Sequence, residues 1–425
     1  MLEAISSQVV VAGGGPAGLG AAVAAARAGA EVLLVERYGF LGGMATAGLV
    51  SPFMAYWLPD GTWLSDGLFR EIIERLRQQG ALGSPHRRED QCFDAETFKW
   101  IADDLCREAG VRLLLDAWLG RPKMEGGEIA AVEVATKGGP LLVRGQVYVD
   151  CTGDADLAAQ AGAPCQVGRQ EDSLTQPMTL CFRMAGVEVD RMPSRQEINA
   201  RYDQARAEGG LDNPRENVLW FYHPAPDVIH FNTTRVVRRN PVDPFDLTAA
   251  ELEARQQVRQ MVAFLRERVP GFERAYLQAM APTLGVRESR RIEGDYVMTG
   301  EDVLSARHFE DVVARGNYPI DIHNPSGSGT VIRHVPAGKA YHIPYRCLLP
   351  QGVENLLVAG RCVSASHEAQ ASIRIMPICV CMGQAAGIAA ALAAGQHLPP
   401  RQLPYADLRR ELDRQGANLD KGEQG

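Results

Sequence analysis

The stretch "VVVAGGGPAG", residues 9–18, decides the fold of this 425-residue chain. Its first four residues are apolar and rich in β-branched valine, which predicts a buried strand. The glycines that follow form the pattern G-x-G-x-x-G, and Pro16 fits the first turn of a helix because its missing N–H is not needed there. The three glycines of the pattern are Gly13, Gly15 and Gly18. Strand, glycine turn and helix in this order predict the start of a βαβ unit.

The next residues complete that unit. The helix should run to about Ala28, and a second apolar strand at residues 32–35 ends in Glu36. In such units the glycines let a pyrophosphate approach the backbone, and the acid after the second strand binds ribose hydroxyls. We therefore predict a bound dinucleotide. A second glycine-rich turn, "RYGFLGGMATAG" at residues 37–48, follows directly and favours FAD over NAD.

Composition narrows the classes of partner. A net charge of -8 argues against a general nucleic-acid or anionic-membrane surface. The nine scattered cysteines are odd in number, so we expect no disulfide framework, no metal site and a cytoplasmic location. The glycine motif begins too early for a signal peptide, and we expect the apolar stretch 376–394 to be a buried helix, not a membrane span.

Further elements frame an inserted region. Helices are predicted at 66–79 and 95–109, a strand at 111–117, a hairpin at 128–135 and 141–150, and a Thr-Gly turn at 152–153. The more polar segment 165–340 should contain strands near 180–186 and 228–237, and a long helix that begins at a capping box of Thr248 and Glu251 and ends near Arg268. The pattern then returns to a buried strand at 355–361 and one helix at 373–395, with Gly383 and Gly387 as a smooth packing stripe.

Several segments together carry a family resemblance. They are "VVVAGGGPAG" with Glu36, "GFLGGMATAG", "VDCTGDADLAAQAGAP", "RESRRIEGDYVMTGEDV" and the tail "IPYR…NLLVAGR…MGQAAG". The chain resembles the FAD-dependent oxidoreductase family of the glutathione-reductase-like flavoprotein superfamily. The resemblance implies an α/β fold in which a discontinuous Rossmann-like FAD domain, 1–160 and 340–400, has a parallel sheet and a β-hairpin meander. An α+β substrate or cap domain, 165–340, is inserted, and 401–425 form a C-terminal tail.

The resemblance also implies which residues contact a non-covalent FAD. The pyrophosphate would lie on the glycine turn, Glu36 would hold the adenosine ribose, and the later segments would frame the flavin. The implied cofactor residues are Gly13, Gly15, Pro16, Ala17, Gly18, Glu36, Arg37, Gly43, Met44, Ala45, Trp118, Thr152, Gly153, Gly360, Arg361, Ser372 and Ile373.

Candidate catalytic residues come from polar clusters on the substrate side. Flavin chemistry needs a group that handles the proton accompanying the hydride, and arginines bind substrate carboxylates. For each candidate a purely structural role stays open, an internal ion pair in the case of the arginines. The candidates are His323, His342, Tyr345, Arg290, Arg291 and His367.

The sequence thus predicts an enzyme that transfers hydride between a small polar organic molecule (an alcohol, a sugar-like compound or a hydroxy acid) and the N5 atom of the flavin. A redox-neutral isomerase or cyclase needs the same site and is the alternative. An electron-transfer subunit is a third hypothesis, but it would need a docking surface or iron–sulfur ligands, and the sequence has no CxxCxxC run. The electron acceptor and self-association into a homo-oligomer stay open.

Overall fold

The apolar and glycine-rich segments of the sequence assemble around one central sheet. The computed structural model describes residues 3–86, 92–417 and 419–420. Its helices are α1 (Pro16–Arg27), α2 (Leu68–Gln78), α3 (Ala95–Ala109), α4 (Asp156–Gln160), α5 (Arg195–Ala207), α6 (Pro244–Arg268), α7 (Gly300–Leu304), α8 (His367–Ile373), α9 (Met376–Gln396) and α10 (Tyr405–Arg414).

The strands follow the same chain order. They are β1 (Glu3–Ala12), β2 (Val32–Val35), β3 (Arg112–Leu114), β4 (Trp118–Glu125), β5 (Glu128–Thr136), β6 (Gly139–Asp150), β7 (Cys165–Val167), β8 (Phe182–Ala185), β9 (Trp220–Tyr222), β10 (Ile229–Phe231), β11 (Tyr276–Met280), β12 (Arg290–Ile292), β13 (Val312–Gly316), β14 (Ile320–His323), β15 (Thr330–Arg333), β16 (Tyr341–Pro344) and β17 (Leu356–Val358).

The central sheet joins the two ends of the chain. Strands β3, β2, β1, β6 and β17 lie side by side and parallel, and β6 also continues an antiparallel meander with β5 and β4. In the register of this sheet, Asp150 of β6 lies between Ala12 of β1 and Val358 of β17. The carboxyl ends of an early, a middle and a late strand therefore meet at one edge, where ligands of such sheets bind. The predicted α/β architecture is confirmed.

Helices α1 and α9 pack on this sheet and also against each other, where their backbones come into direct contact. A Cβ atom on Gly383 would lie 2.0 Å from the carbonyl oxygen of Ala17, and one on Gly387 would lie 2.0 Å from that of Ala21. Only glycine permits this approach, which confirms the packing stripe predicted for α9. Helix α9 is long and apolar enough to cross a membrane by composition alone, but 89% of its most apolar window is buried inside the protein.

A second core lies in the inserted region. A four-stranded sheet of order β11-β8-β10-β9 packs with α5 and α6 around buried aromatic and aliphatic side chains. Further along the chain, apolar residues from Met298 to Val335 belong to the core around the central sheet. Leu408 and Leu412 of α10 belong to the same core. The domain boundaries proposed from the sequence stay a prediction.

Three predicted elements were wrong in detail. The long helix α6 begins at Pro244 with Asp243 as its cap, and Thr248 lies inside it with its hydroxyl donating to the Pro244 carbonyl. The single late helix is two helices, α8 and α9, because the chain turns between Ile373 and Met376. The strand predicted at 111–117 is the short β3, and residues from Trp118 onward form β4 of the meander.

Candidate functional site

A cavity of about 770 Å³ opens at the carboxyl edge of the central sheet. This volume lies within the range usual for small-molecule and cofactor sites. The cavity is lined by the glycine turn after β1, by the segments after β2, β6 and β17, and by residues of the inserted region. The cavity is therefore one site, lined both by segments of the central sheet and by the inserted region.

The glycines after β1 have separate structural reasons. Gly13 has φ +92°, and a Cβ there would lie 2.7 Å from the Cys151 carbonyl oxygen, so the turn needs glycine. A Cβ on Gly18 would lie 1.7 Å from the Gly13 carbonyl oxygen, which shows that this glycine allows the helix to pack on the turn. At Gly15 a Cβ would meet only the Gly43 Cα atom, at 3.8 Å. Gly15 therefore leaves its side of the turn open to the cavity.

Helix α1 presents a free N-terminus at the same point. Its N-cap is Gly15, Pro16 occupies the first turn, and no described side chain caps it. Uncapped N–H groups and the positive end of the helix dipole attract anions such as a pyrophosphate. The bare turn and this helix end thus fit the diphosphate of a dinucleotide.

Glu36 lies at the end of β2 and lines the cavity. Its Oε2 accepts a hydrogen bond from the Gly14 amide at 2.6 Å, and its Oε1 accepts one from the Tyr38 amide at 2.9 Å. Burial raises the pKa of Glu36, and the two amides partly offset that effect. A carboxylate held in this way keeps lone pairs for ribose hydroxyls. Beside it, the Arg37 guanidinium lies 5.5 Å from the ring centre of Trp118.

Gly360 and Arg361, which follow β17, line the same cavity as the glycine turn and Glu36. Gly360 follows β17 with φ +96°, and a Cβ there would lie 2.9 Å from the Ala17 side chain. Arg361 donates to Asp154 at 2.8 Å and to the Ser289 hydroxyl at 3.0 Å. Residues near Gly15 and residues near Gly360 therefore form one cradle.

Most of the cofactor residues implied by the resemblance line the cavity. These are Gly13, Gly15, Pro16, Ala17, Glu36, Arg37, Gly43, Met44, Trp118, Thr152, Gly153, Gly360 and Arg361. Four others lie behind its wall. Gly18 packs on the turn and Ala45 and Ile373 are fully buried, while the Ser372 hydroxyl is 2.7 Å from that of Tyr341.

The candidate catalytic residues do not come together. His323 and Arg290 line the cavity, and Arg290 contacts Asp156 at 2.8 Å. The other four do not line the cavity, and each has a structural partner, the alternative that the sequence left open for them. His342 stacks on His308, the Tyr345 hydroxyl donates to the Pro400 carbonyl, and both Arg291 and His367 contact the buried carboxylate of Glu288.

The structure adds a tyrosine–aspartate pair beside His323. The Tyr318 hydroxyl donates to Asp321 Oδ2 at 2.9 Å, and His323 Nε2 lies 3.4 Å from the same oxygen. Arg235 is 3.0 Å from His323 Nδ1, and since a guanidinium can only donate, Nδ1 accepts and Nε2 carries the proton. Asp321 and His323 are two residues apart on β14, so their side chains lie on the same face of the strand. This spacing is a signal in the sequence that could have identified Asp321.

Burial and charge set the protonation states of this group. Burial and the charge of Arg287 lower the pKa of His323 to about 3, so the imidazole is neutral at pH 7. Burial pushes the pKa of Asp321 upward, but hydrogen bonding by His323 and the charges of His323 and Arg374 outweigh it, and the net pKa is lowered. Burial and the Asp321 charge raise the pKa of Tyr318. At neutral pH the site therefore holds a neutral tyrosine, a carboxylate and a neutral histidine.

Three further arginines on the cavity wall were not among the candidates from the sequence. They are Arg215, Arg287 and Arg374, and they come from three distant segments. Arg287 lies in the "RESRR" run together with Arg290 and Arg291, so residue type alone does not show which of these arginines faces the cavity. Only the tertiary fold brings this set together.

Comparison with known proteins agrees with this geometry. The family model described as FAD dependent oxidoreductase matches residues 8–412. Digeranylgeranylglycerophospholipid reductase 2 of Methanopyrus kandleri is 27% identical over 209 residues, which are 46% of this chain and 48% of the relative. The chain thus matches about half the length of that curated relative.

Solved structures also match this chain over most of its length at low sequence identity. p-Nitrophenol 4-monooxygenase PnpA of Pseudomonas putida DLL-E4 has a TM-score of 0.50 and 10% identity, with 99% of this chain and 86% of that chain covered. A geranylgeranyl bacteriochlorophyll reductase-like protein of Thermoplasma acidophilum has a TM-score of 0.45 and 11% identity, with 97% and 83% covered. At 10% identity the likeness to PnpA concerns the fold alone. The match over nearly the whole chain, together with the cradle built by Gly15, Glu36 and Gly360, shows that this protein belongs to the FAD dependent oxidoreductase family and is an FAD-dependent enzyme.

Proposed function

We propose that the enzyme transfers hydride between a small polar organic molecule and FAD, with that molecule bound in the part of the cavity lined by the inserted region. FAD, when bound, supplies the chemistry of accepting or donating the hydride. The observation that carries the proposal is the continuity of one cavity from the glycine turn at Gly15 to Tyr318 and Asp321.

Tyr318 and Asp321 can handle the proton that accompanies hydride transfer from a hydroxyl-bearing carbon. The Tyr318 proton is directed at Asp321, so Tyr318 Oη is left with lone pairs for a substrate hydroxyl. A proton that passes from the substrate to Oη can be matched by the tyrosine proton moving to the Asp321 carboxylate. The reverse sequence serves the reduction of a carbonyl.

His323 positions this pair. Its Nδ1 accepts from Arg235 and its proton-bearing Nε2 faces Asp321, so the imidazole orients the carboxylate and has no free acceptor for the substrate proton. His323 is also largely buried, which keeps bulk water from its side of Asp321. This role differs from that of a general base.

The experiment is anaerobic mixing of the FAD-loaded enzyme with a panel of small alcohols, sugars and hydroxy acids, followed by flavin absorbance and product mass. We expect loss of the oxidised flavin band with at least one compound, and a product two hydrogens lighter. A product of unchanged mass with no electron acceptor consumed would instead support the redox-neutral isomerase.

The pair is tested with Tyr318→Phe. Loss of a positioned acid or base reduces turnover by about 100-fold or more, and the affinity for FAD should be unchanged. The matched control is Tyr276→Phe, a tyrosine on β11 that is 59% exposed and outside the cavity lining. Equal turnover of wild type and Tyr318→Phe would remove Tyr318 from the mechanism.

A further inference from the structure

Resting on the proposed function, we infer that the substrate is an organic acid with an apolar body, and that its carboxylate binds between Arg215 and Arg287. Both side chains line the cavity. Arg215 is 5% exposed and Arg287 is 9% exposed, so both guanidinium groups are withdrawn from water.

Neither arginine has a carboxylate partner within ion-pair distance among the described residues. The Arg215 Nε donates to the Asn217 side chain at 3.3 Å. Arg287 donates to the Pro177 carbonyl at 2.7 Å and to Asn232 Oδ1 at 3.3 Å. All three acceptors are neutral. Buried charges are ordinarily paired, so two guanidinium groups with neutral partners indicate a place for an anion.

The acids nearby are already engaged. Asp321 accepts from Tyr318 and lies 3.7 Å from Arg374, while Glu216 lies 3.0 Å from Arg235. Burial and the charges of Arg374 and Arg215 lower the pKa of Arg287 to about 9, which still leaves it charged at neutral pH. The guanidinium groups therefore repel one another, and a bound anion would relieve that repulsion.

The rest of this part of the cavity is largely apolar. Hydroxyl groups of a polyol placed against these apolar side chains would lose hydrogen bonds to water without gaining a partner from them, which is unfavourable. An alkyl or aryl group would be stabilised by the same contacts. The apolar lining residues are Val50, Pro52, Met54, Leu219, Phe221, Val242, Leu247 and Ile332.

A carboxylate suits the chemistry better than a phosphate ester. The charge of Arg287 acts on both Asp321 and His323, so the anion site lies beside the pair that handles the proton. A carboxylate can stand directly on the carbon that is oxidised, and arginine binds it through two parallel hydrogen bonds. Among the substrate classes predicted from the sequence, this selects the hydroxy acids.

The test is calorimetric titration of the FAD-loaded enzyme with phenylacetate, phenylacetamide, acetate and phenyl phosphate, all under conditions without turnover. We expect phenylacetate to bind about 10-fold to 100-fold more tightly than its amide, the size of a hydrogen-bonded charge interaction. It should also bind more tightly than acetate, which lacks the apolar body. Equal affinity of acid and amide, or tighter binding of phenyl phosphate, would overturn the inference.

Substitutions of Arg215 test where the carboxylate binds. Arg215→Met should weaken phenylacetate binding by about 10-fold or more, because a charged hydrogen-bond donor is lost. Arg215→Lys should restore part of it. The control is Arg255→Met, which removes the same charge from the exposed face of α6, where Arg255 pairs with Glu251. If Arg215→Met fails to fold, the acid–amide comparison in the wild-type enzyme decides the matter alone.

Failure of the inference and failure of the proposed function give different results. Acids that bind tightly without ever reducing the flavin, across the whole panel, would contradict the proposed function. Neutral alcohols that reduce the flavin, with no preference for acids in binding, would contradict only the inference.

Discussion

The Oε2 atom of Glu36 lies 2.6 Å from the backbone amide of Gly14, and this hydrogen bond ties the acid after β2 to the glycine turn after β1. The residue that should hold the ribose thus also fixes the turn on which the diphosphate should lie. We expect Glu36→Ala to raise the Kd for FAD by about 10-fold or more, since a buried acceptor for two amides is lost. Flavin fluorescence titration measures this.

The chain should still fold, because the two hydrogen bonds that are lost, from Gly14 and Tyr38, lie in turns at the edge of the sheet and not in its core. Circular dichroism checks this point. Glu31→Ala, which alters an exposed acid just before β2, is the control and should leave FAD binding unchanged. A Glu36→Ala protein with wild-type affinity for FAD would remove the ribose assignment.

Gly15 and Gly18 should respond differently to alanine. Gly15 has space on the cavity side, so Gly15→Ala should fold normally but lose FAD affinity by about 10-fold or more, because its methyl group occupies cofactor space. Gly18→Ala places its methyl group 1.7 Å from a carbonyl oxygen and should reduce the yield of folded protein itself. Soluble yield and FAD titration of both variants separate the two effects. The same result for both would contradict the separate roles.

The contact of α9 with α1 predicts a contrast between two glycines on one helix. Gly383→Ala should destabilise the protein by about 2 kcal/mol or more, because α9 would have to move away from the Ala17 backbone. Gly395→Ala has no atom within 4 Å of the new methyl group and should stabilise slightly, by up to about 1 kcal/mol. Thermal unfolding of both variants measures the difference.

His230 predicts a pH-dependent stability. It is fully buried on β10, both ring nitrogens lack hydrogen-bond partners in the described structure, and burial together with the nearby Arg183 and His223 lowers its pKa well below the usual value. The unfolded chain therefore binds a proton below about pH 6.5 that the native state does not bind. The free energy of unfolding should for this reason decrease as the pH falls below that value.

We expect His230→Leu to raise the thermal midpoint, and to raise it more at pH 5 than at pH 7. The unpartnered nitrogens alone cost about 1–3 kcal/mol. Exposed His334, changed to Leu, is the control, since surface substitutions are usually within about 0.5 kcal/mol. A larger gain at pH 7 than at pH 5 would contradict the assignment of His230 as a buried, neutral imidazole.

The fold and the cofactor end of the site could be predicted because their signals are local. The turn from Gly13 to Gly18 and the acid at Glu36 have fixed spacings that one stretch of sequence displays. The boundaries of α6 were less predictable, since both Asp243 and Thr248 are good caps and the choice between them depends on tertiary packing.

The substrate end could not be predicted in the same way. Arg215, Arg287 and Arg374 come from three separate segments, and no periodic pattern links them. Residue type alone was a weak guide as well: histidine is a common catalytic residue, but His342 stacks on the exposed His308 and His367 contacts the buried Glu288, and neither lines the cavity. What distinguishes a cavity arginine from an ion-paired one is its surroundings, which only the assembled chain defines.

We infer that Gly15 and Gly360, from distant parts of the chain, hold one FAD in one cavity that also admits the substrate. The most direct measurement is a crystal structure of the FAD-loaded enzyme. We expect the diphosphate against the Gly15 turn and the N-terminus of α1. The flavin ring should lie beside Gly360 and beside Pro377, which lines the cavity from the first turn of α9. Flavin density outside this cavity, or a structure in which Gly15 and Gly360 lie at separate sites, would contradict it.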